Sequence, residues 1–259
     1  VFHPFPLPPK KNYTPNKTQV LFLPEASDFI ASSPHETLSL TFPVSKSPFV
    51  QGLVTEAKIH SLSLSVGIHE PSPTPQKVSN TLIWISPEGV ITNRYQKLHL
   101  FDLDLSSTGG AVLSESTTTE PGATLPEPFS SPIGKIGPMI CFDLRFPQVS
   151  LALRRMGAEV LLYPSAFTVQ TGRRHWEVLL RARAIECQCY VVAAAQRGWH
   201  SETRESYGHG MVVDPCGEVV AEVKGEGVGV EVVEVDLGVV RETRRGLPLC
   251  RRTDVYPEV

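Results

Sequence analysis

Three side chains in this sequence stand where chemistry is easy to build: Glu25, Lys97 and Cys141. Cys141 closes the apolar run Ile136 to Ile140 and is followed by the charged stretch Asp143-Leu144-Arg145 and by Pro147. A strand ending there presents the thiol at a sheet's carboxyl edge, where functional sites of α/β proteins gather. The backbone N–H groups of the next turn and the start of a following helix would favour a thiolate and, after attack on a carbonyl, an oxyanion. The competing reading is a buried core cysteine, the usual fate of a free thiol. Glu25 follows Val20-Leu21-Phe22-Leu23 and Pro24, which sets a carboxylate where a buried strand emerges; a solvated loop acid is the alternative. Lys97 lies in Tyr95-Gln96-Lys97-Leu98-His99-Leu100-Phe101, whose neighbours would draw its ammonium partly out of water; a snorkelling edge-strand lysine is the alternative.

The other cysteines offer less. Cys187 and Cys189 form a C-x-C pair with no second pair or spaced histidines to complete a zinc site, Cys216 falls in a turn, and Cys250 lies in a Pro/Arg-rich tail. An odd count of five argues for reduced thiols in a cytosolic-type compartment, and the expectation is a cytoplasmic protein, with a mitochondrial form as a variant. No metal and no cofactor is expected. The formal net charge of −3 gives no field that would gather nucleic acid, and no apolar run is long enough to cross a membrane as a helix.

The elements that must hold these residues are legible in part. Leu53, Val54, Ala57 and Leu62 recur at roughly helical spacing, and Leu64, Val66 and Ile68 then alternate as a strand does. Ser86-Pro87-Glu88-Gly89 and Asp214-Pro215-Cys216-Gly217 each divide two apolar runs, which predicts two β-hairpins. Between them, strands over Ile136 to Ile140, Val160 to Tyr163 and Tyr190 to Ala194 alternate with helices around Gln148–Met156 and His175–Gln188, the pattern of a sheet with parallel pairs covered by helices. Residues 102–132 read as one long Ser/Thr/Gly/Pro-rich connection. Residues 1–19, rich in proline and lysine, read as a disordered arm ahead of a single domain over 20–259.

Taken in order, Leu23-Pro24-Glu25-Ala26, Tyr95-Gln96-Lys97-Leu98-His99-Leu100-Phe101 and Gly134-Lys135-Ile136-Gly137 through Cys141 to Arg145-Phe146-Pro147 resemble the Glu, Lys and Cys signatures of the carbon–nitrogen hydrolase (nitrilase) superfamily. The stretch from Tyr163 to Gln196 and Ser206-Tyr207-Gly208-His209 is similar to its Nit-type branch. The resemblance implies a four-layer α-β-β-α sandwich and commonly a homodimer. It implies an amidase acting on a small ω-amide with carboxylate groups, deaminated glutathione first and α-ketoglutaramate as the alternative, through a cysteine thioester with release of ammonia.

By the same resemblance Cys141 is the nucleophile, Glu25 the general base and acid, and Lys97 the cation that steadies the tetrahedral intermediate together with the Phe142 backbone N–H. Glu115 matches a second glutamate that orients the site, with a loop acid as the alternative. Arg145 could pair a substrate carboxylate bidentately, with Thr171 hydrogen-bonding it; the alternative for Arg145 is an ion pair with Asp143 or Glu159. Two departures stand out. The family opens with a strand and helix before the Glu strand, and the Pro-rich residues 1–19 occupy that place, which suggests a fragment or a protein with an exposed sheet edge. Arg173-Arg174 precedes His175 where relatives carry small or apolar residues. A non-catalytic interaction protein that retains the fold is the remaining alternative.

Overall fold

The computed structural model describes residues 18–104, 107, 112–225 and 227–257. The Pro-rich arm lies outside them apart from Thr18 and Gln19, and so do the residues where the family's first strand and helix would stand.

Two sheets carry the molecule. In the first, β1 (Val20–Phe22), β2 (Ser63–Pro71), β3 (Val78–Ile85) and β4 (Ile91–Gln96) run in chain order, with β1 parallel to β2 and the rest antiparallel. In the second, β7 (Phe129–Ser131), β8 (Gly134–Pro138), β9 (Val160–Leu162) and β10 (Tyr190–Ala193) continue into β13 (Met211–Val213) and β14 (Val219–Glu222); β8, β9 and β10 are mutually parallel.

The alternation of side chains along the strands decides what each face covers. Leu64, Val66, Ile68, Ile83 and Ile85 bury against Val50 and Ala57 of α2 (Pro48–His60). Leu82, Trp84 and Tyr95 point the other way and join the second sheet's Ile136, Val160 and Val191 in one core. That core extends to α3 (Pro147–Arg155) through Leu153, to α4 (Val169–Cys187) through Trp176 and Leu180, and to α5 (Leu237–Gly246) through Val240. The layers are therefore helix, sheet, sheet, helix, as the resemblance implies.

Local signals explain the boundaries near the site. The Ser47 hydroxyl accepts from Val50 N and Pro48 opens α2, while Ser61 ends it in the left-handed region at φ 48°. The Thr168 hydroxyl caps α4 at Thr171 N. The predicted hairpins and the three central strands match in place. Residues 102–132 do not form one bare connection: β5 (Asp102–Asp104) pairs with β6 (Val112–Ser114), and β7 already belongs to the second sheet. Short three-residue strands in a polar, Ser/Thr-rich segment leave too little alternation to be read from sequence. The helices α1 (Pro34–Leu40) and α5, and the small hairpin of β11 (Arg197–Trp199) with β12 (Glu205–Tyr207), were likewise not predicted.

Candidate active site

Glu25 leaves β1 on a turn that lies against β2. Gly67 N donates to Pro24 O at 3.0 Å and Ser27 N to Gly67 O at 2.8 Å. A methyl group on Gly67 would stand 2.6 Å from the Glu25 Cα, so the glycine is what lets this turn approach. Gln196 Nε2 donates to the carbonyls of Glu25 and Ala26, 3.0 Å each, and holds the turn from the second sheet. Lys97 follows β4 and is tied down by Lys97 N to Asn80 O at 2.9 Å and Gly122 N to Lys97 O at 2.7 Å.

The two side chains meet in the interior. Lys97 Nζ donates to Glu25 Oε1 at 2.8 Å and to Glu115 Oε2 and Oε1 at 2.8 and 3.1 Å. Asn80 Nδ2 spans the same two acids, reaching Glu25 Oε1 at 2.9 Å and Glu115 Oε1 at 3.1 Å. Ala166 N donates to Glu25 Oε2 at 2.9 Å, and Phe101 N to Glu115 Oε2 at 2.7 Å. Burial raises the Glu25 pKa, but the charge and hydrogen bond of Lys97, with bonds from Cys141 and Asn80, outweigh it and hold the carboxyl below its ordinary range. Burial acts against the Lys97 charge as well, and Glu115 and Glu25 reverse that, so its pKa is raised well above the ordinary lysine value.

Cys141 sits at φ 45°, a left-handed conformation costly for a residue with a side chain. It opens a short 3₁₀ turn, Cys141–Arg145, and its N–H donates to Pro164 O at 3.0 Å. The turn is latched by Asp143, which is fully buried and accepts from Tyr95 Oη at 2.5 Å, His99 N at 3.0 Å, His99 Nδ1 at 2.7 Å and Ile140 N at 3.0 Å. One carboxylate thus ties the cysteine turn to the segment carrying Lys97. Arg183 of α4 adds a bond from Nη2 to Leu144 O at 2.8 Å.

The surroundings of Cys141 oppose a thiolate, so the proton must be taken by a neighbouring base. Burial first, and the Glu25 charge second, push the Cys141 thiol far above the ordinary range, and Lys97 offsets only part of this. The thiol is neutral and shares its hydrogen with Glu25.

Glu25, Asn80, Lys97, Glu115 and Cys141 line one cavity of about 370 Å³, together with Phe142, Arg145 and Thr171. Arg145 forms no ion pair with Asp143 or Glu159, because Asp143 is committed to Tyr95 and His99 and Glu159 to Lys135 N. Its Nη2 instead meets His175 Nδ1 at 2.9 Å, its guanidinium lies 5.7 Å from the Phe167 ring centroid, and its Nε is buried without a partner among the described residues. The Thr171 hydroxyl is 2.8 Å from Thr168 Oγ1 in the α4 cap, so it reaches the cavity while serving the helix. No described residue accepts from Phe142 N.

Asn80, Gln196 and the latch at Asp143 carried no assignment from the sequence. Asn80 had a signal: an amide in the middle of the fully buried strand β3 must find partners inside. Among the described residues, no group of three His, Cys, Asp or Glu side chains could hold a metal ion, and no helix is long and apolar enough to cross a membrane.

The chain is similar to known proteins over most of its length. The family profile described as carbon-nitrogen hydrolase matches residues 10–245. The probable hydrolase nit2 of Schizosaccharomyces pombe is 46% identical over 242 residues, covering 92% of this chain and 87% of that protein. Deaminated glutathione amidase of Homo sapiens is 48% identical over 241 residues, covering 91% of this chain and 72% of that protein. The crystal structure of the C. elegans NitFhit protein superposes with a TM-score of 0.82 at 41% identity, covering 92% of this chain and 58% of that one. The fold, the ordered signatures and a match spanning most of its length establish that this chain belongs to the carbon-nitrogen hydrolase family.

Proposed function

We propose that the protein is a cysteine amidase that hydrolyses deaminated glutathione, with Cys141, Glu25, Lys97 and Glu115 as its catalytic group. The observation that carries the reading is the buried Glu25–Lys97–Glu115 network beside a neutral thiol in one cavity. Two carboxylates sharing one ammonium keep Glu25 ionised inside the protein, where it can take a proton.

As Cys141 Sγ bonds to the amide carbonyl carbon, its proton passes to Glu25 and the carbonyl electrons move onto oxygen. The Lys97 ammonium and the Phe142 N–H stabilise that oxyanion. When the C–N bond breaks, Glu25 returns the proton to the departing amine, leaving a thioester. Water then adds with loss of its proton to Glu25, and the thiol leaves reprotonated. The departing group corrects the expected product: the amide of deaminated glutathione joins its acyl group to cysteinylglycine, so that dipeptide leaves, and ammonia leaves only from a primary amide such as α-ketoglutaramate.

Arg145, whose buried Nε at the cavity wall has no partner among the described residues, suits the substrate's carboxylate, and Thr171 a hydrogen bond beside it. A homodimer belongs to this proposal; exposed Val178 and Ile185, seven residues apart on α4, support it, and sedimentation measures it. The test of function is turnover of deaminated glutathione by purified protein, followed as released cysteinylglycine thiol. Hydrolysis of α-ketoglutaramate alone would favour the alternative substrate.

A further inference from the structure

Among the polar groups of the cavity wall that the proposed mechanism does not use, His69 is held by an acid and an aromatic ring. His69 lies on β2 two residues after Gly67, so both face the Glu25 turn. Across the ladder His69 stands directly opposite Asn80, the residue whose amide spans Glu25 and Glu115. Asp28, three residues beyond Glu25, clamps it twice: His69 N donates to Oδ2 at 2.7 Å and Nδ1 to Oδ1 at 3.1 Å. The imidazole also stacks on Phe29, centroids 4.5 Å apart at 22°. His69 and Phe29 both line the cavity, and among the described residues nothing bonds His69 Nε2.

A carboxylate that takes the Nδ1 hydrogen fixes the ring's orientation and leaves Nε2 as its working atom. Nε2 accepts from a peptide N–H or a thiol, and donates to a carboxylate once the ring gains its second proton. Which half of the substrate it meets follows from the proton transfer. Glu25 returns its proton to the amine, so the leaving group lies on the Glu25 side of the scissile bond, whereas Arg145 comes from the turn beyond Cys141.

We infer that Asp28, His69 and Phe29 form the subsite for the amine half of the substrate, and that this half is a short peptide. The inference rests on the amidase reading above. Cysteinylglycine brings the N–H, thiol and carboxylate that Nε2 can meet, and an aliphatic stem to lie on Phe29. Ammonia, the amine half of a primary amide, brings none of these.

The experiment is the ratio of kcat/KM for deaminated glutathione to kcat/KM for α-ketoglutaramate in the wild type, His69→Phe and Asp28→Ala. Phenylalanine keeps the stack on Phe29 and removes Nε2, and the ratio should fall about tenfold or more. Asp28→Ala frees the imidazole without removing it, and the ratio should fall by less; it also carries the test if His69→Phe does not give soluble protein. An unchanged ratio, with both substrates slowed alike, overturns the subsite. A wild type that hydrolyses α-ketoglutaramate and not deaminated glutathione overturns the substrate reading beneath it, and this is seen before any variant is made.

Discussion

Lys97 Nζ lies 2.8 Å from Glu25 Oε1, with only 2% and 6% of the two side chains exposed. A charge pair this deep is costly to form and more costly to break, because removing one partner strands the other charge. Here the ammonium also serves Glu115. Lys97→Met leaves two carboxylates facing each other, which should raise the Glu25 pKa and remove the cation from the oxyanion. The expected loss in kcat is 10²-fold or more, by analogy with removal of one oxyanion donor, with a fall of roughly 3–5 kcal/mol in stability. Steady-state kinetics and denaturant unfolding check both; a variant with wild-type kcat would remove Lys97 from the chemistry.

The pH dependence follows from the directions of the shifts. Glu25 is held below its ordinary range, so its share of stability is present above an unfolded pKa of about 4.3 and is lost as pH falls through its lower folded value. The acid limb of kcat/KM should therefore lie below about 4.3. Cys141 is shifted upward, so its alkylation by iodoacetamide should rise with pH and show no inflection below about 8.5. An inflection near neutrality would mean a resting thiolate.

Gly67 makes a prediction about the base without touching it. A Cβ there would sit 2.6 Å from Glu25 Cα and 2.9 Å from Pro24 O, both backbone atoms that cannot swing aside. Gly67→Ala should displace the Glu25 turn, lower kcat by tenfold or more, and cost about 1–3 kcal/mol. Thermal unfolding alongside kinetics measures it, and an alanine variant with wild-type kcat would show that the turn yields.

Arg145→Lys keeps the charge and loses the planar fork. The KM for deaminated glutathione should rise with little change in kcat. An unchanged KM would make Arg145 a partner of His175 and Phe167 and nothing more.

Local pattern showed the central strands and the two hairpins, through the alternation along β2 and the turn residues at Ser86–Gly89 and Asp214–Gly217, whereas the four layers followed from the family resemblance; the short signatures around Glu25, Lys97 and Cys141 marked three side chains that the fold brings to one cavity. Local pattern did not carry the wiring between segments. Asp143 joins Tyr95 and His99 across 48 and 44 residues, and Asn80 reaches Glu25 across 55, and no spacing within one element announces such pairs. The size of the thiol's shift was beyond sequence for a related reason: the backbone N–H groups near Cys141 could be inferred locally, whereas burial and the Glu25 charge, which raise its pKa, come from distant segments.

The most direct test is the cysteine itself. Wild-type protein quenched during turnover of deaminated glutathione should carry one acyl group on Cys141, found by mass spectrometry of the peptide containing it. Cys141→Ala should bind substrate, form no adduct and release no cysteinylglycine. Amide hydrolysis persisting in Cys141→Ala, or an adduct on any other residue, would contradict the account.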